Sequence, residues 1–143
     1  MQSPLAGKLL LRHNLSVMKI LAVSDQVVER IYKLAAQGHF DGVDLILACG
    51  DLPYTYLEYL VSILNVPMMY VPGNHDPQYN PNLALTRAEG GSNLDLKTER
   101  VKNVLIAGFG GSVRYRPDGV NQYAQTEANV RAARLMMGLL RNR

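Results

Sequence analysis

Three short apolar runs in the first half of this chain each break off at a small or acidic residue. Lys19 to Ser24 runs into Asp25, Asp44 to Cys49 into Gly50-Asp51, and Met68 to Val71 into Gly73-Asn74-His75-Asp76. The segments between them have helical period. Val27, Val28, Ile31, Leu34 and Ala35 keep to one stripe, and Leu57, Leu60, Val61 and Leu64 follow i, i+3, i+4, i+7. Strands alternating with amphipathic helices predict a layered α/β domain. The first helix is expected to end near Gly38, and Pro67 to stop the second and open the third strand. The unbroken apolar character of Asp44 to Cys49 suits a strand covered on both faces.

Ligands of open α/β sheets sit at the carboxyl ends of the strands. Asp25, Asp51 and Asn74 are therefore expected to converge there as oxygen donors from successive strands, with His75 beside them. Gly50 and Gly73 allow the sharp turns this needs. Turns favour Gly, Asn and Asp on their own account. Three such ends in order, the last a Gly-Asn-His-Asp tetrapeptide, nevertheless favour a site.

The second half is less regular. Residues 73–100 are rich in Gly, Asn and Pro without period, and read as a long surface connection, a kind of segment that tends to be functional. Glu99 to Lys102 and Val104 to Ala107 read as a hairpin, followed by the small-residue run Gly108 to Ser112. That run is not a dinucleotide fingerprint, because Val113 stands where Gly-x-Gly-x-x-Gly has its third glycine. Tyr115-Arg116-Pro117-Asp118-Gly119 is turn chemistry. About Thr126 to Leu140, an amphipathic helix is expected with Ala128, Ala132, Leu135, Met136 and Leu139 on one stripe and Arg131 and Arg134 facing solvent.

The chain has 143 residues, net charge +3, one Cys and three His. That length can bury a core without disulfides, and too few Cys and His are present for a zinc finger or ribbon. No apolar run nears the roughly 18 residues of a membrane span. A soluble, cytoplasmic protein is expected. Residues 1–17 read as a leader from an upstream start, and 18–143 as the domain. His13 falls in that leader, His39 reads as a surface residue and Cys49 as a small buried hydrophobe. Residues 1–112 carry nine Lys/Arg and ten Asp/Glu, whereas 113–143 carry six Arg and two acids. Such a basic tail could meet nucleic acid through phosphate neutralisation, while the helical face of Arg131 and Arg134 reads as solvated. Of the tyrosines, Tyr56, Tyr59 and Tyr70 are expected to pack, while Tyr54 and Tyr79, nearest the polar strand ends, are candidate substrate contacts.

The order Gly50-Asp51 and then Gly73-Asn74-His75-Asp76, each at a strand end, resembles the calcineurin-like metallophosphoesterase superfamily. The likeness runs from about Met18 to Ser112, and Gly108 to Ser112 is similar to the family's glycine-rich block. It implies a sandwich of two β-sheets with helices outside, and a phosphomonoester or phosphodiester substrate hydrolysed by metal-activated water. By position it makes Asp25 a ligand of a first metal, Asp51 the bridge, Asn74 a ligand of a second, and His75 the catalytic imidazole. Imidazole is the side chain whose ordinary titration lies nearest neutral pH, which suits protonation of a leaving oxygen. Asp76 is expected either to orient His75 or to cap a helix.

Two departures qualify the likeness. Val27 stands where the family's Asp-x-His pattern has a ligand, and no histidine follows His75, although the family draws further His ligands from later blocks. The expectation is an incomplete domain. Its remaining all-oxygen set suits Mn²⁺ or Mg²⁺, with iron or zinc conceivable only in a longer parent. Weak metal binding, little activity in this chain alone and self-association through uncovered apolar surface are expected. The rival expectation is a non-catalytic interaction protein with this fold.

Overall fold

A computed structural model describes residues 17–80 and 82–142. Apart from Val17, the expected leader lies outside the described residues. Four strands, β1 (Ile20–Val23), β2 (Leu45–Ala48), β3 (Met68–Tyr70) and β4 (Ser92–Asn93), lie side by side in chain order, all parallel. Right-handed crossovers that always step the same way put their helices on one face. Accordingly α1 (Glu29–Ala36) and α2 (Tyr54–Leu64) pack together, with the Tyr32 ring 4.7 Å from Tyr59 and 5.1 Å from Tyr56. Asn65 ends α2 in a left-handed conformation, its N–H bonded to the Val61 carbonyl, just ahead of Pro67.

The strand pleat divides the core in two. On the helical face, Val23, Ile46, Ala48 and Met68 meet Tyr56, Leu57 and Leu60. Ile46 and Leu60 are fully buried, and each such side chain contributes roughly 1.5–3 kcal/mol. On the other face Leu45, Met69 and Leu94 are covered by Val101 and Ile106. Those two residues come from an antiparallel hairpin, β5 (Thr98–Val101) and β6 (Val104–Ala107). A short parallel pair follows, β7 (Ser112–Val113) with β8 (Gln122–Tyr123), and then α3 (Gln125–Arg141). The mixed α/β layering is the expected class. Among the described residues no helix is long and apolar enough to cross a membrane.

Several expectations are corrected. The connection over 73–100 contains β4 and a 3-10 turn at Ala84–Thr86. Neither β7 nor β8 was expected. Cys49 is exposed: it follows β2 on the hairpin side of the sheet and opens onto an apolar hollow of about 360 Å³ shared with Leu47, Val71, Ile106 and Phe109. Helix α3 is amphipathic as expected but shallowly packed: Ala128, Ala132, Leu135 and Leu139 are half-buried, none is fully buried, and Met136 of the same stripe is 62% exposed. Arg131, by contrast, is drawn inward. Its guanidinium pairs with Asp95 at 2.8 Å and lies 3.8 Å from the centre of the Tyr123 ring. Asp95, arriving from the loop after β4, gives this cation a partner that a helical pattern cannot reveal.

Candidate functional site

The candidate residues sit in the loops that follow β1, β2 and β3, and the backbone there is unusual. Asp25, two residues past β1, and Asp51, three past β2, both have left-handed backbones, φ 62° and 58°. Asp tolerates that region better than most residues, and such outliers persist only where the surroundings hold them. The Asp25 N–H donates to the Gly50 carbonyl at 3.1 Å, so the two loops touch. Gly50, φ 89°, packs so closely that an added Cβ would lie 2.7 Å from the Gly73 backbone. Gly73 in turn leaves no room for a Cβ beside the Asp51 carboxylate. Both glycines are required by this close approach.

A buried carboxylate locks the arrangement. Asp76 Oδ2 accepts the Gly73 N–H at 2.8 Å and the Asp51 N–H at 2.9 Å. Its role is therefore to fix the loops after β2 and β3 against each other, in place of the expected orientation of His75 or helix capping. The Asp51 side chain answers from the other loop, with Oδ1 accepting the His75 N–H at 2.7 Å. Asn74 Nδ2 donates to the Tyr115 hydroxyl at 2.9 Å. Asp51 Oδ2 and Asn74 Oδ1 are thereby left without a hydrogen-bond partner among the described residues.

The exposed His75 stands between two clefts. One, of about 660 Å³, runs from Asn74 and His75 to Tyr115, Arg116 and Val120. The other, of about 670 Å³, runs from Asp51 and His75 to Tyr54 and Leu85. Tyr54 thus lines the same cleft as Asp51 and His75. Burial, reinforced by the Asp76 charge, pushes its phenol up, so it stays a neutral hydrogen-bond donor. Tyr79 is not brought there; it lines a separate hollow with Asn93, Asp95 and Tyr123. Tyr56, Tyr59 and Tyr70 pack, the first two against Tyr32 and Tyr70 against Tyr54 at 5.7 Å between ring centres.

The sequence reading missed two groups. Asn121, φ 52°, donates through Nδ2 to the carbonyls of Gly73, at 2.9 Å, and Asp76, at 3.2 Å. Tyr115 and Arg116 form the far wall of one cleft. No local pattern announces either group, since both depend on a contact about forty residues away. Gly110 and Gly111 have a related role, with the Gly111 N–H bonded to the Pro72 carbonyl and Gly110 packed on Pro72.

Residues 18–130 match the sequence model of the calcineurin-like phosphoesterases, and the chain belongs to that family. No curated protein and no solved structure matches it. Proteins of this family typically depend on divalent metal ions. Asp51 Oδ2, Asn74 Oδ1 and the exposed Asp25 carboxylate are oxygen donors, the chemistry that suits a hard divalent ion. They do not amount to a full two-ion centre: among the described residues no group of three or more His, Cys, Asp or Glu is placed to hold a metal. Val27 is 38% exposed and offers no donor.

Proposed function

We propose that this chain supplies the working edge of a divalent-metal-dependent phosphoesterase, acting on a phosphomonoester or phosphodiester. The observation that carries this reading is the bond from the His75 main-chain N–H to Asp51 Oδ1, 2.7 Å, which ties the loop bearing the imidazole to the Asp51 carboxylate, with His75 lining both clefts and Asp51 one of them. Asp25, Asp51 and Asn74 hold the ion, Mn²⁺ or Mg²⁺ by their all-oxygen chemistry. When bound, that ion supplies Lewis acidity that makes water nucleophilic and offsets phosphoryl charge. His75 hands a proton to the departing oxygen. Asp76 keeps the two loops in register, and Tyr54 donates to the substrate from the second cleft. Tyr79 drops out of this reading.

The test is hydrolysis of bis(p-nitrophenyl) phosphate and p-nitrophenyl phosphate by the purified chain with excess Mn²⁺. Expected is slow turnover that EDTA stops and that His75→Ala lowers by roughly a hundredfold, the usual scale for a general acid. The thin ligand set favours a second reading, a non-catalytic phosphoesterase-fold interaction protein. Turnover absent at saturating Mn²⁺ selects it. Self-association belongs to either reading, supported by Met136, Met137 and Leu140 lying largely exposed on α3. A reducing, cytoplasmic setting suits the free, exposed Cys49.

A further inference from the structure

The turn Tyr115-Arg116-Pro117-Asp118-Gly119 is built with more care than a surface connection needs. Gln122, only 5% exposed, turns its side chain back into the loop, and Oε1 accepts the N–H groups of Tyr115 and Arg116, each at 3.1 Å. Gly119 closes against that same side chain with no space for a Cβ. Both ends of the loop are tied to the strand-end tetrapeptide, through Tyr115 to Asn74 and through Asn121 to Gly73 and Asp76. The loop is therefore a fixed wall facing His75 across the 660 Å³ cleft.

We propose that Arg116 is the phosphate-binding residue of this wall, gripping the phosphoryl oxygens of the substrate that His75 protonates. The inference rests on the phosphoesterase reading and adds to it the group that recognises the anion. Arg116 is exposed, stands 5.6 Å from the centre of the Tyr115 ring, and has no carboxylate partner among the described residues. Asp118 lines the same cleft without forming an ion pair to it. Three other arginines have carboxylate partners, Arg87 in Glu89, Arg114 in Glu127 and Arg131 in Asp95, and of the cleft's lining only Arg116 carries a positive charge besides His75 when protonated. A planar guanidinium held on a fixed loop matches two oxygens of a phosphate at once, and a lysine there would act only as a point charge.

The test titrates inorganic phosphate into the metal-free 143-residue chain by calorimetry, with KM for p-nitrophenyl phosphate measured separately in Mn²⁺. Arg116→Gln is expected to weaken phosphate binding by about tenfold, the scale of one charge-assisted contact. Arg116→Lys recovers part of the loss, which separates recognition from misfolding. Arg134→Gln, the same charge change on the exposed side of α3, leaves the affinity unchanged. The proposal is overturned if the parent chain binds no phosphate, if Arg116→Gln binds as well as the parent, or if Arg134→Gln loses as much. Phosphate binding that depends on Arg116 in a chain without turnover leaves this site standing and removes the phosphoesterase reading. Turnover with an Arg116→Gln KM and phosphate affinity equal to the parent's does the reverse.

Discussion

The edge where the parallel strands finish and the edge where they begin use the same device to different ends. At each, one aspartate accepts a main-chain N–H from the neighbouring strand's loop. At the finishing edge Asp76 is buried and takes two neutral N–H donors, from Gly73 and Asp51. At the starting edge Asp44 is partly open, bonding the Lys19 N–H at 2.9 Å and the Lys102 ammonium at 2.6 Å. The finishing edge also carries the left-handed Asp25 and Asp51. A buried carboxylate there fixes strained backbone, whereas the exposed ion pair only ties the hairpin to the sheet, an arrangement of small worth in water.

The largest effect expected at the finishing edge follows from removing charge without disturbing shape. Asn accepts a left-handed backbone as readily as Asp, so Asp51→Asn should fold normally. Its Mn²⁺ affinity is expected to fall by about a hundredfold, at least the upper end of what losing a supporting partner costs. A titration followed by electron paramagnetic resonance checks this, and unchanged affinity would remove Asp51 from the ion site. Next in size, Asp76→Ala strands two backbone N–H groups at roughly 1–3 kcal/mol each. Urea denaturation reads the loss, and a drop below 1 kcal/mol would mean water replaces the carboxylate without penalty.

The smallest effect belongs to the starting edge. The Lys102 ammonium, then the Lys19 N–H, hold the Asp44 carboxyl below its ordinary range. A carboxyl lowered in the folded state stabilises fully above its unfolded value and loses that contribution as pH falls through the folded one. The Tm gap between the parent and Asp44→Asn should be small, constant through neutral pH and closed in strong acid. A gap that widens in acid would contradict the assignment, and one as large as that of Asp76→Ala would erase the contrast between the edges.

Much of the finishing edge was legible because each of the three strands announces itself twice, by an apolar run and by the Gly, Asp or Asn that stops it. The helices were legible through their stripes. Strands of two residues such as Ser92–Asn93 and Gln122–Tyr123 have no room for a period, so pairing alone creates them. Arg131 read as a solvent-facing residue because its partner Asp95 lies 36 positions away. The turn chemistry of Tyr115 to Gly119 was visible, but its placement opposite His75 depends on Gln122 and Asn121, whose bonds are set by the folded topology. The loops bearing the candidate oxygen donors were thus local information, and the wall proposed to face His75 was not.

The one-way march of the four strands has a practical corollary. Both crossover helices go to one side, and on the other, beside the hairpin, a lone thiol, Cys49, looks out over an apolar hollow. The chain consequently carries its own reporter. The rate at which a maleimide alkylates Cys49 measures how open that side is, so any subunit or added segment settling on it is registered as protection, with no label to introduce.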